Sequence, residues 1–263
     1  MKNSKKIFML LLVMILTFSL VACGKGEGGN AGGGTKLSPE EIIDKQMAAS
    51  ESMESGKMKM NLTMEMTAEG EESFTIESVT DTEFTMDPLV MKMEMSMGIE
   101  GESMTTLMYL DKDDMHVQIP GTDMWQTIPA EMSGMNIEET LESYSTEEIS
   151  QILKEHIKDV KIEEVDNHYI INYSGNGDML KELVAQMMNS TFPEDGIEEL
   201  EDLDITEFTY TNKIDKNTFL PVYSEANFKM TVTSEGQKVD INQTQIMEFL
   251  EINSIDEIVL PEM

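Results

Sequence analysis

Two stretches of this chain alternate strictly between apolar and polar side chains. In KMKMNLTMEMT, Met58, Met60, Leu62, Met64 and Met66 fall on one side, and Lys59, Asn61, Thr63 and Glu65 on the other. In LVMKMEMSMGI, Leu89, Met91, Met93, Met95, Met97 and Ile99 share one side, opposite Lys92, Glu94 and Ser96. A period of two belongs to the pleated strand, whose successive side chains point to opposite faces. A helix would scatter the same residues around its circumference. The pattern therefore predicts half-buried antiparallel strands with one dry and one wet face.

Further strands extend this sheet. Residues 74–86 (FTIESVTDTEFTM) read as a more polar strand between the first two. Residues 104–110, 115–119 and 125–128 follow, separated by turns at Asp111–Asp114 and Pro120-Gly121. Residues 160–164 and 168–173 form a hairpin around Asp166-Asn167. Long strands over 205–214, 220–233 and 239–252 close the chain, with turns at 215–218 and 234–236.

A helical period appears in three places. Ser38-Pro39-Glu40-Glu41 carries an N-cap serine, a proline at the first helical position and a glutamate three residues after the cap. Ile42, Ile43, Met47 and Met53 give it a buried stripe to about Ser55, with Gly56 as its stop. Ser145–Glu148 is a second capping box, before a stripe of Ile149, Ile152, Leu153, His156 and Ile157. A third helix is predicted over 178–189, with Leu180, Leu183, Val184 and Met187 inward. No sharp linker interrupts 38–263, so the expectation is one α+β domain built on a long antiparallel sheet.

The N-terminus has a different character. Lys2, Lys5 and Lys6 precede an apolar run from Ile7 to Leu20, then Val21, Ala22 and Cys23. The run is too short for a usual membrane span, which needs about 20 residues, and reads as a secretory signal. Leu20-Val21-Ala22-Cys23 followed by Gly24 resembles the lipobox of bacterial lipoproteins. That resemblance implies cleavage before Cys23, removal of residues 1–22, and a diacylglycerol thioether on its sulfur. The lone cysteine is then an anchor, and the protein partners the membrane through it at the extracytoplasmic face of the cell. Several acyl chains on one residue hold a domain stably where one would be marginal. Residues 23–37 are glycine-rich and read as a flexible tether.

Composition removes several function classes. Asp and Glu number 51 against 18 cations, all of them lysine, for a formal charge of −33. Nucleic-acid binding needs a basic face, which is lacking. One cysteine cannot build a disulfide scaffold. No metalloprotease, serine-hydrolase or phosphate-loop motif is present, and the three histidines (His116, His156 and His168) read as structural. Asp111, Asp113 and Asp114 lack the glycine and distal glutamate of a calcium loop and read as a hairpin turn. The expectation is a non-enzyme with no cofactor and no metal.

The order of lipobox, tether, capped helix, long meander, inserted helices and closing strands resembles the lipoprotein-carrier superfamily of LolA, LolB and the mycobacterial LppX and LprG. More narrowly, the chain is similar to Gram-positive lipoproteins of the DUF6612 type. The residues behind this are Tyr109-Leu110 through Trp125, and Ile214-Asp215-Lys216-Asn217-Thr218 ahead of a long methionine-containing strand. The resemblance implies a curved antiparallel sheet, an open half-barrel, with helices packed on its concave side. It also implies binding of an apolar ligand, often a lipid, between sheet and helices.

The 26 methionines, three of them in the leader, admit several readings. They can be plain core, since the alternating positions are those an inward face must occupy. They can form an adaptable wall, because unbranched thioethers repack around irregular apolar ligands. On that reading Met60, Met64, Met66, Met91, Met93, Met95 and Met97 line a ligand site. Thioethers also suit Cu(I), and Met91, Met93 and Met95 stand at the spacing of alternate strand residues, but no His or Cys is near in sequence. A reversible oxidant sink is a further reading. The expected function is a membrane-anchored carrier of a hydrophobic, lipid-like ligand, with an acidic module docking an envelope protein partner as the alternative.

Overall fold

A computed structural model describes residues 37–99, 102–129, 156–175, 203–234 and 237–261. Helix α1 spans Pro39–Glu51. It is followed by β1 (Ser55–Ala68), β2 (Phe74–Met86), β3 (Leu89–Ile99), β4 (Glu102–Asp111), β5 (Asp114–Gln118) and β6 (Trp125–Pro129). After a short 3-10 turn at Ile157–Asp159 come β7 (Val160–Val165), β8 (His168–Gly175), β9 (Leu203–Asp215), β10 (Pro221–Ser234) and β11 (Gln237–Ile252).

The eleven strands among the described residues belong to one sheet, ordered β6-β5-β4-β3-β2-β1-β11-β10-β9-β8-β7. Every pairing is antiparallel. The sheet is therefore two meanders, β1–β6 and β7–β11, joined where β1 pairs with β11. The outermost strands β6 and β7 do not pair with each other, so the sheet is unclosed. Strands of 13 to 16 residues at its middle accumulate enough right-handed twist to curl so wide a sheet. The expected curved and unclosed antiparallel sheet is observed, and of the several helices expected on its concave side α1 is the one among the described residues.

Alternation is visible in burial. On β1, Met58, Met60, Leu62 and Met64 are buried, while Thr63 and Glu65 are exposed. We call the buried side the inner face. It carries Phe208, Phe228, Met230, Ile241 and Met247 from the closing strands. The outer face carries the charges, among them Lys57, which bonds Glu83 at 2.9 Å, and Lys229, which bonds Glu207 at 2.8 Å.

Helix α1 begins with the predicted capping box. The Glu41 backbone N–H donates to Ser38 Oγ at 3.2 Å, and the Ser38 N–H donates to Glu41 Oε2 at 2.7 Å. Ile42 then packs with Tyr169, Ile171 and Ile214, which fastens the helix to the inner face of β8 and β9. Its end differs from expectation. The helix stops at Glu51 with Ser52 as its cap, and Gly56 lies in β1. A Cβ on Gly56 would come within 2.7 Å of the Phe84 ring. That glycine admits an aromatic ring from β2 and is not a helix stop. Met53, read as part of the helical stripe, is buried just beyond the helix.

The helices expected over 145–157 and 178–189 fall mostly or wholly outside the described residues. At the end of the first, His156 caps the 3-10 turn and meets the Tyr173 ring edge-on, with centroids 6.5 Å apart.

Candidate ligand-binding face

The predicted methionines come together on the inner face. Strand pairing sets Met60 opposite Thr80, and Thr80 opposite Met95. By the same register Met64 faces Ile76, Met66 faces Phe74, Met93 faces Thr82, Met97 faces Ser78 and Met91 faces Phe84. All seven therefore share one side, with the short side chains of β2 lying between the methionines of β1 and those of β3. Their burial is unequal. Met60 and Met64 are buried, whereas Met66, Met91, Met93, Met95 and Met97 are only half-buried.

The two sides of this region pack differently. Met58, Met60, Phe84 and Met247 form one buried cluster, with Met86, Met91 and Phe249 against it. Leu110 and Met115 form a second, with Met91 and Met93 against it. Met91 is common to both. Met95 and Met97, further along β3, face the small residues Thr80 and Ser78. The predicted lipidation residue Cys23 and the lipobox residues Leu20, Val21 and Ala22 lie outside the described residues.

Reading the sequence for apolar residues missed a second set. Gln243 and Gln245 stand on β11 in phase with Ile241 and Met247, at inward positions. They are 0% and 3% exposed. Ser78 on β2 and Asn212 on β9 are each 3% exposed on the same face. Among the described residues, Ser78 Oγ, Asn212 Oδ1, Gln245 Oε1 and both ends of the Gln243 amide have no hydrogen-bond partner. The Gln245 Nε2 donates to the Met60 thioether at 3.1 Å, a weak acceptor. A glutamine in the buried phase of an alternating strand is a signal that parity alone could have raised.

Titration separates the faces as well. On the outer face the Tyr223 hydroxyl donates to Glu225 at 2.7 Å, and burial followed by that bond pushes the phenol up to about 12. Asn227 and then Tyr223 donate to the Glu225 carboxylate and hold it below the usual carboxylate range. On the inner face, desolvation alone pushes Tyr210 up to about 12. A neutral phenol, neutral amides and small hydroxyls thus share the inner face with methionine and phenylalanine.

The histidines and the acidic turn are structural in form. His116 is 2% exposed, with Nδ1 3.1 Å from Thr127 Oγ1 and Nε2 3.6 Å from Asp111 Oδ2. Asp111 Oδ1 accepts the backbone N–H groups of Asp113 and Asp114, which makes a hairpin turn of the acidic cluster. Among the described residues no group of three or more His, Cys, Asp or Glu could hold a metal ion.

Comparison with known proteins places the chain. The model of DUF6612, a family of unknown function, matches residues 38–263. The chain belongs to the DUF6612 family. This DUF6612 chain has no match among curated proteins. Among solved structures it is similar to LprF from Mycobacterium bovis, at 12% identity over 85% of this chain and 96% of that one, with a TM-score of 0.36. It is also similar to a LolA superfamily protein from Nitrosomonas europaea, at 8% identity over 82% of this chain and 95% of that one, with a TM-score of 0.23.

Proposed function

We propose that this DUF6612 protein is a membrane-anchored extracytoplasmic lipoprotein that holds a hydrophobic, lipid-like ligand against the inner face of its sheet without covalent chemistry. Cleavage behind Leu20, Val21 and Ala22 leaves Cys23 to carry the lipid, residues 23–37 form the tether, and residues 38–263 form the binding domain. The observation that carries the reading is the state of β3. Met91, Met93, Met95 and Met97 lie on the buried side of the sheet yet stay half-buried. Met93, Met95 and Met97 face the small residues Thr82, Thr80 and Ser78, and that leaves an apolar wall which can repack around a guest.

The driving force is burial of ligand surface, about 0.8 kcal/mol for each methylene removed from water. The acidic outer face repels anionic membrane surfaces, so the lipid on Cys23 supplies the attachment.

Native mass spectrometry of residues 24–263 purified from bacteria, followed by solvent extraction, tests this reading. The expected result is a reproducible apolar adduct that disappears when Met93 and Met95 are replaced by Glu. A clean apo mass with no uptake of added lipid would instead favour the acidic protein-docking module. Cu(I) titration under reducing conditions addresses the metal reading, which requires tighter binding than in a Met91→Leu, Met93→Leu, Met95→Leu variant.

A further inference from the structure

The inner face holds more than an apolar wall. Gln243 and Gln245 sit two apart on β11, so their amides project from the same side about 7 Å from each other. Across the sheet Gln245 is followed by Leu62 and then by Ser78. Asn212 lies two strands away on the other side, through Ser224 of β10. Ser224 pairs with Met247, so Asn212 is out of line with both glutamines, and its strand lies four spacings, about 19 Å along the sheet, from that of Ser78; Ser78 is the unpartnered group in line with Gln245. Both ends of Gln243 lack a partner, so rotating its amide by half a turn changes nothing.

Folded interiors rarely leave buried polar atoms unpaired, because each carries the full cost of leaving water. The outer face of the same strands obeys that rule. Tyr223, Glu225, Asn227 and Thr244 form a connected chain of hydrogen bonds. The deficit is confined to the face that also bears the half-buried methionines.

We propose that Gln243 and Gln245, with Ser78 in line with Gln245, receive the polar head of the ligand, and that this head is neutral and carries both a hydroxyl donor and a carbonyl acceptor. This inference rests on the carrier reading and adds the chemical class of the ligand: an acyl ester with a free hydroxyl, such as a monoacylglycerol. These groups offer acceptors at Gln243 Oε1 and Gln245 Oε1, a donor at Gln243 Nε2, and both at Ser78 Oγ. The described strand lysines, Lys57, Lys59, Lys92, Lys161, Lys213, Lys229 and Lys238, stand on the outer face by register, and Lys45 and Lys216 lie over the Phe219 and Tyr169 rings, in line with Ile214 and not with the glutamines, so none of these is placed to compensate a phosphate or carboxylate beside Gln243.

The test uses the full mature chain in phosphatidylcholine nanodiscs with a diazirine-bearing monoacylglycerol, and tandem mass spectrometry to locate the label. Competition is read with 1-monopalmitoylglycerol, palmitate and hexadecane. Labelling of β1, β3 or β11 is expected, with the monoacylglycerol displacing the probe at least about tenfold better than either rival. Gln243→Leu with Gln245→Leu should remove that preference and leave displacement by hexadecane unchanged.

Equal competition by hexadecane, or a preference untouched by the double variant, overturns the polar-head inference while the carrier reading stands. Absence of label on the inner face overturns the carrier reading itself. Thermal melting without probe gives an independent check. Replacing an unpartnered buried amide by leucine raises or preserves the melting temperature, and a large fall would show that the fold itself satisfies Gln243 and so reject the inference.

Discussion

The two meanders that share this sheet are built from different materials. On the inner face of β8 to β10 the buried residues are mostly aromatic and branched, Tyr169, Ile171, Tyr173, Ile205, Phe208, Ile214 and Phe228, with Asn212, Ala226 and Met230 beside them. Their rings lock together: Tyr173 and Phe208 have centroids 5.5 Å apart, and Tyr169 stacks on Phe219 at 6.0 Å. Helix α1 lies against this region. On the inner face of β2 and β3 the corresponding positions hold Ser78, Thr80 and Thr82 beside half-buried methionines. Aromatic and branched side chains have few rotamers and fix one packing; methionine has three free torsions and fixes none. One half thus sets the geometry of the sheet and the other leaves it adjustable.

Truncation should expose that contrast most strongly. Phe208→Ala removes a wholly buried ring that touches Tyr173 and Tyr210, and should cost about 3–5 kcal/mol in chemical denaturation. Met95→Ala, at a half-buried site facing Thr80, should cost about 1 kcal/mol or less, below the range for buried methionine. Equal losses would mean that both halves are ordinary core and would erase the distinction.

Smaller effects should come from the edges. Asp215 closes the β9–β10 turn, with Oδ1 accepting the N–H groups of Asn217 and Thr218 at 2.8 and 2.9 Å. The Thr218 N–H is the main reason its carboxyl sits below the usual range. A depressed carboxylate stabilises the fold above its unfolded pKa and loses that contribution as pH falls through the folded value. Asp215→Ala should therefore cost about 1 kcal/mol at pH 7 and progressively less in acid, read from denaturation midpoints against pH. Glu83 follows the same sign, lowered first by the Lys57 hydrogen bond. As a partly exposed ion pair, Glu83→Gln should cost only a few tenths of a kcal/mol and lose even that in high salt.

Much of the scaffold could be read from parity. The strands expected over 74–86 and 89–99 have those bounds in the structure, and the Asp166-Asn167 hairpin is formed with Asp166 at a positive φ of 51°. The capping box at Ser38 formed as its residues demanded. Gly56 misled, because a glycine past a helix and a glycine under an aromatic ring look alike until Phe84 is placed beside it. Alternation also showed which way each methionine points but not what touches it, so the unequal burial of Met64 and Met95 was beyond reach. Gln243 and Gln245 were legible in position only. Their missing partners depend on residues brought alongside from β1 and β10.

The seam between β1 and β11 has a consequence for how the molecule comes into being. It pairs Gly56 with Ile252 and Ala68 with Val239, positions at opposite ends of the chain. Each meander can assemble from neighbours in sequence, but the seam demands closure of nearly the whole polypeptide, the slow kind of contact. Synthesis delivers β11 long after β1. Until it arrives, β1 has one unmatched edge and its row of methionines has no roof from the closing strands. The growing chain carries a sticky border through the synthesis of β2 to β10, and assembly is governed by when β11 is released.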